Sequence, residues 1–417
     1  MSEARKLPHP IAFLVLYLPF GAAAGFGSVA LAYQLHQRGV SVPALAVFLS
    51  MNLLPNTWKV LWSPLIDTTL SARKWYAIGV GITALAFLVM AFAPLNSRSM
   101  PLLDSMAFVL GLASSVAAMG AERFMAFGTN DEDKGRAGGW SQAGNLGGSG
   151  LGGGLGLLLV THTGLPWSAG VSMAVLSLAC ILMALRLPDP PRVGEARSYL
   201  TSLKEAGRDV LSLATRRIGL LAIFICVLPM GTGAAGNLWS VVAGDWHAGA
   251  DEVALVSGAL SGVITMIGAL AAGYICDRMD RKAAYAFAGV LGGLASVVMA
   301  LAPHTPTAFL VFSSLYNLMT GASFAAFGAL TLEAIGQGAA ATKYNLIASV
   351  ANVPILLTTL ADGQAQKAFG SGGMLLTEAA LAVGAAALYF AVARITRGWS
   401  WAGARRLAGL APASRSA

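Results

Sequence analysis

Charge is what this sequence lacks most. Only 11% of its 417 residues are Asp, Glu, Lys or Arg, against about 25% in a soluble domain. That is too little to coat a water-facing surface, so soluble enzymes and disordered tails are excluded. Cysteine is nearly as scarce. Cys180, Cys226 and Cys276 all fall inside apolar runs, which excludes a disulfide or zinc framework and leaves them as small hydrophobes. The five histidines (His9, His36, His162, His247 and His304) are scattered without metal-ligand spacing, so no metal or other cofactor is expected. No Gly-x-x-x-x-Gly-Lys-Ser/Thr run occurs, and the glycines from Gly147 to Gly156 lack a strand–helix context. ATP-driven and dinucleotide chemistry are therefore unsupported. No nucleophile–base arrangement stands out, and no enzyme is expected.

Apolar residues are what the chain has instead: 56% are hydrophobic and the mean hydropathy is +0.68. This is the composition of an integral membrane protein whose principal partner is the lipid bilayer. A helix needs about 20 apolar residues to cross the hydrocarbon core. Twelve such runs lie near 11–35, 43–67, 75–95, 101–127, 137–160, 165–187, 218–243, 252–276, 283–302, 306–335, 345–368 and 373–395. The first is too long for the apolar region of a signal peptide. The longest hydrophilic stretch divides the runs six and six. The expected organisation is an N-terminal six-helix bundle (1–187), a cytoplasmic linker (188–217), a C-terminal six-helix bundle (218–395) and a cytoplasmic tail (396–417).

Of the 27 Lys and Arg, Lys59 and Arg123 fall inside spans and Arg38, Arg98 and Lys367 on one side; all the others fall on the opposite side. Basic loops stay in the cytoplasm, so both termini are expected there, in a multi-pass protein of a bacterial inner membrane. The net charge of +8 is then a topology signal, and no nucleic-acid partner is expected. The halves also repeat. Leu18-Pro19-Phe20-Gly21 returns as Leu228-Pro229-Met230-Gly231, and Asp67 returns as Asp277, both 210 residues later. An even number of spans per half gives the two repeats the same orientation.

The second run carries Asn52, Asn56, Lys59, Ser63 and Asp67, spaced three or four apart. On a helix this is one polar stripe, and in lipid it must face a cavity or a partner. Intramembrane charges are functional by default; the alternative is a salt bridge fixing this helix to the fourth. There, Glu122 is at a depth to meet Lys59, and Arg123 to meet Asp67 or to snorkel to the headgroups. Gly144, Gly148, Gly152 and Gly156 predict a helix face packed tightly on a neighbour. Gln142 and Asn145 lie on another face, matched in the eleventh run by Asn345 and Asn352. Asn237 and Trp239 follow a glycine-rich break in the seventh run; Trp239 is equally suited to an interfacial anchor. Asn317 and Glu333 mark the tenth run, and Glu378 reads as an interfacial charge near the outer end of the twelfth.

The segment Gly273-Tyr274-Ile275-Cys276-Asp277-Arg278-Met279-Asp280-Arg281-Lys282 resembles the loop signature of the major facilitator superfamily, Gly-x-x-x-Asp-Arg-x-Gly-Arg-Lys, with Asp280 where the family has Gly. The resemblance implies an all-α fold of twelve transmembrane helices in two parallel six-helix repeats. It also implies a gating role for Asp67, Asp277, Arg278, Asp280, Arg281 and Lys282. Trp58-Lys59-Val60-Leu61-Trp62-Ser63-Pro64-Leu65-Ile66-Asp67 is similar to a segment shared by AmpG-like muropeptide permeases, acetyl-CoA transporters and siderophore permeases. The implied function is proton-coupled uptake of a small polar or amphipathic solute, muropeptide- or siderophore-like, by alternating access. The remaining candidates are a proton-driven exporter of drugs or metabolites and a membrane assembly or sensor protein that does not transport. A monomer is expected.

Overall fold

A computed structural model describes residues 8–40, 42–191, 217–335 and 340–396, with the isolated positions 200, 201, 204 and 208. Most of the expected linker and nearly all of the expected tail lie outside the described residues. Within them the chain is helical, and no strand occurs. Twelve segments follow in order: α1 (Ile11–Gln37), α2 (Val42–Trp58, Lys59–Leu61 and Ser63–Thr68), α3 (Ala72–Phe92), α4 (Met100–Phe127), α5 (Lys134–Gly150 continuing to Gly156–Thr163) and α6 (Ser168–Arg186). The second half comprises α7 (Arg217–Cys226, then Ala234–Leu238 to Ala243–Trp246), α8 (Ala250–Ser257 and Ala259–Cys276), α9 (Arg281–Leu301) and α10 (Pro306–Ile335). It ends with α11 (340–369) and α12 (371–395). These two run nearly end to end and part only at Gly370, whose φ of 71° lies in the left-handed region that glycine enters freely.

Local chemistry sets the boundaries. Ser71 caps α3 by accepting from Lys74 N, and Gly164, at φ 69°, terminates α5. The large apolar side chains of the outer faces, among them Leu85, Phe92, Val175, Leu182 and Leu301, remain exposed. A soluble protein does not carry such a continuous apolar surface; a bilayer covers it.

The glycine face of α5 packs as its spacing predicts. A side chain at Gly144, Gly148 or Gly152 would overlap the α1 backbone at Leu14, Leu18 or Ala22. α1 and α5 each widen by one turn, at Phe26–Leu31 and Leu151–Leu155, and the two wide turns lie side by side.

The repeat is visible in hydrogen bonds. Tyr76 of α3 donates to Leu16 O of α1 at 3.0 Å, and Tyr285 of α9 donates to Met230 O beside α7 at 2.8 Å. The halves meet where α5 packs on α8 and α10, and where α11 packs on α2 and α4.

Candidate functional site: a polar cavity between the halves

A cavity of about 620 Å³ lies between the two halves. Its polar lining comes from Asn52, Asn56 and Lys59 of α2, Glu122 of α4, and Gln142 and Asn145 of α5. The second half adds Asn237 of α7 and Asn352 of α11. Aromatic walls are supplied by Phe20, Tyr17, Phe324, Phe327, Tyr285 and Tyr344. Asn145 donates to Gln142 Oε1 and Asn237 to Thr359 Oγ1, both at 3.2 Å, whereas Asn56 Oδ1 is buried and unpartnered among the described residues. Amides with spare donors and acceptors beside aromatic faces suit a polar solute with apolar edges.

The polar stripe of α2 is not one continuous face. With Pro55 and Pro64 flanking it, the chain leaves α-helical geometry and tightens into a 3₁₀ turn at Lys59–Leu61. Asn52, Asn56 and Lys59 therefore border the cavity, while Ser63 is turned away, fully buried and donating to Val60 O at 2.9 Å. Lys59 is half-buried and feels the charge of Glu122 across the cavity without an ion-pair contact within 4.0 Å among the described residues. Glu122, 2% exposed, accepts from Asn345 Nδ2 at 2.5 Å. Asn345 itself lies behind the wall, also donating to Ala341 O.

Arg123 does not reach the cavity, nor does it snorkel: it is fully buried. It faces Asp67 at 3.7 Å and donates to Ile66 O and Leu70 O. Trp239 lies off the cavity and away from lipid, 1% exposed and edge-on to Phe309 and Tyr316. Asn317 donates to Val256 O at 3.2 Å and so ties α10 to α8. Glu378 is not an interfacial charge but a buried acceptor of Tyr316 Oη and Thr232 Oγ1.

Two matching contacts join the halves. Asp67 accepts from Thr342 N and Thr342 Oγ1, each at 2.8 Å, and from Ala341 N at 3.3 Å, at the start of α11. Asp277 accepts from Gly135 N at 2.7 Å, and from Arg136 N and Nε at 3.1 and 2.8 Å, at the start of α5. Each carboxylate fills the unpaired N–H groups and positive dipole end of a helix in the opposite half. Arg281 also crosses, donating to Asp131 O, and within its own half pairs with Glu333 at 3.0 Å; Lys282 joins Glu333 at 3.4 Å. Arg278 and Asp280 stay local. Arg278 donates to Tyr274 O, and Asp280 caps α9 by accepting from Ala283 N. That cap is a use for the acid where the loop signature has Gly.

Two parallel six-helix repeats with a polar cavity between them are the marks of one transporter fold. The family model for the Major Facilitator Superfamily matches residues 11–359. The chain belongs to this superfamily. Its members are transporters, not enzymes, and this major facilitator chain is a multi-pass membrane protein that moves a small molecule. Among solved structures it is similar to the fucose:proton symporter FucP of E. coli, with a TM-score of 0.64 and 15% identity. That match spans 93% of this chain and 98% of the symporter, and at this identity it speaks for the fold.

Tyr17, Tyr285 and Tyr344 line the cavity, and the helix starts at Gly135 and Thr342 join the halves; spacing did not single these residues out. Asp362, fully buried in α11, escaped too. Its signal was a lone acid inside an apolar run.

Proposed function

We propose that this chain is a proton-coupled importer working by alternating access, with 1–187 and 218–395 rocking as near-rigid halves around the cavity. The observation that carries this reading is the opposition of Lys59 and Glu122 in a cavity whose lining also holds amides, hydroxyls and aromatic rings among aliphatic side chains. Glu122 is the proton carrier: it takes a proton when the cavity opens outward and releases it inward, with Asn345 holding its carboxylate in place. Lys59 holds the negative or electron-rich groups of the solute. The solute is rich in hydroxyl and amide groups and carries at most a small negative charge. Muropeptide fragments and hydroxylated siderophores fit that chemistry, as does a sugar of the kind named for the E. coli symporter. Asp67 and Asp277 join the halves by accepting from helix starts of the opposite half; in this reading they are the gate in its closed state, and the cavity is loaded from the other end. Loop charge makes the gated end cytoplasmic, in a bacterial inner membrane. One chain contains the whole pathway, consistent with a monomer.

The test is uptake into proteoliposomes under an imposed pH gradient, with an anhydro-muropeptide, an iron–siderophore, a labelled hexose and a cationic dye. Accumulation of one of the first three, at least tenfold lower for Lys59→Ala, supports the reading and selects the solute class. Dye extrusion, or uptake unchanged in Lys59→Ala, contradicts it.

A further inference from the structure

The second half hides a pair of acids behind the cavity wall. Asp362 of α11 has no exposed surface, and Glu378 of α12 is 5% exposed. The two carboxyl groups are neighbours. Glu378 Oε1 accepts from Tyr316 Oη of α10 at 2.8 Å and from Thr232 Oγ1 beside α7 at 3.2 Å. Apart from each other, Glu378 Oε2 and both oxygens of Asp362 have no hydrogen-bond partner among the described residues, and all three are buried. Tyr316 is the other titratable group facing the pair, and no cation lies within ion-pair reach among the described residues.

Buried carboxylates persist in lipid when a cation or a proton neutralises them. With two acids in contact and no counter-ion, a proton held between them removes the repulsion, one carboxyl O–H donating to an unfilled oxygen of the other. The hydroxyls argue for a proton over a metal cation. Tyr316 and Thr232 point hydrogens at Glu378 Oε1, occupying lone pairs that a metal ion would need.

The position gives the pair a way to communicate with the cavity. Thr232 lines the cavity and lies between Gly231 and Gly233, at φ 60° and 69°, in the break of α7. Tyr316 Oη also accepts from Ala235 N just beyond that break, at 3.3 Å. Thr359, one turn before Asp362, lines the cavity and holds Asn237. Along α11, Asp362 is about 25 Å from Asn345, the residue that holds Glu122. The two acidic sites thus lie in different halves and toward opposite ends of the cavity.

We propose that Asp362 and Glu378 form a second proton-binding site, distinct from Glu122, which loads and unloads as the α7 break swings Thr232 off Glu378 and admits cavity water. The exchange is a simple transfer: hydronium in the cavity gives its proton to the carboxylate pair and leaves as water, and the reverse step returns it. Its role in coupling rests on the proton-driven reading above, but the site itself is testable without any solute.

The experiment is an infrared pH titration of the purified full chain, reading the C=O stretch of protonated carboxyl groups from about pH 5 to about pH 10. The variants are Asp362→Asn, Glu378→Gln and Glu122→Gln, each checked for a monodisperse elution peak. The expected result is a titrating band lost in both Asp362→Asn and Glu378→Gln and retained in Glu122→Gln. Thr232→Val, which keeps both acids, should slow its hydrogen–deuterium exchange or shift its midpoint. A spectrum identical in wild type and Asp362→Asn overturns the proposal, as does a band that never titrates or one displaced by sodium at fixed pH. If transport fails to follow the proton gradient while this band behaves as expected, the coupling role falls and the site stands.

Discussion

Asp67 and Asp277 occupy equivalent places in the two repeats and do the same thing, yet in different surroundings. Asp67 is 1% exposed and faces Arg123, which has no exposed surface, so its contact with the start of α11 is dry. Asp277 is 9% exposed, and its partner Arg136 is 38% exposed. A helix start gains up to about 2 kcal/mol from a well-placed charge when partly buried, and less when water and salt screen it. The Asp67 contact is therefore the stronger, and the Asp277 contact the weaker and more sensitive to salt. The two repeats share the device, and burial sets its strength in each.

The largest effect is expected from Asp67→Asn. It removes the charge facing the buried Arg123 guanidinium, a loss of about 3–5 kcal/mol, and weakens the contacts to Ala341 and Thr342. Spin labels at Thr69→Cys and Arg278→Cys, one in each half beside these contacts, should then report a longer distance as the main population, and the melting temperature should fall. An unchanged distance would mean that the halves are held together elsewhere. Asp277→Asn should cost about 1–2 kcal/mol, populating the longer distance as a minority. Added salt should enlarge that fraction in the intact protein without reproducing the Asp67→Asn effect. Equal effects at the two sites would break the comparison.

The smallest effect is expected at the rim. Asp131, in the exposed loop before α5, is held below its ordinary value by the hydrogen bond and charge of Lys134, 2.7 Å away. A carboxylate depressed in the fold stabilises it above the unfolded pKa, and the contribution is lost as pH falls through the folded value. Lys134→Met should therefore cost roughly 0.5 kcal/mol or less at neutral pH. The wild-type and variant melting curves should converge below about pH 4. A difference that grew as the pH fell would reverse the sign of the argument.

How much of this was legible in the sequence follows from what side-chain chemistry alone can carry. The twelve spans, the two repeats and the glycine face of α5 were, because hydropathy and helical spacing are local properties. So was the neighbourhood of Lys59 with Glu122 and of Arg123 with Asp67, because depth in a span is close to a count along the chain. The orientation of Ser63 was not: it depends on the 3₁₀ turn at Lys59–Leu61, which shifts the face by part of a turn. Nor was it legible that Arg123, Asn317 and Asn345 tie helices together instead of lining the cavity, because polar groups in lipid serve both uses, or that Trp239 packs edge-on against two rings away from both cavity and lipid. The partners of Asp67 and Asp277 were invisible because they are mainly backbone N–H groups, which no side-chain pattern marks. Asp362 was readable as a lone acid in an apolar run; its pairing with Glu378, across the Gly370 break, was not.

The most direct test of the central claim compares two kinds of transport by Glu122→Gln in proteoliposomes. Solute-for-solute counterflow needs the cavity and the rocking of the halves, whereas accumulation against a gradient also needs the proton carrier. Glu122→Gln is expected to keep counterflow within about threefold of wild type while losing pH-driven accumulation by about 10²-fold or more. Retention of pH-driven accumulation by Glu122→Gln would contradict the account.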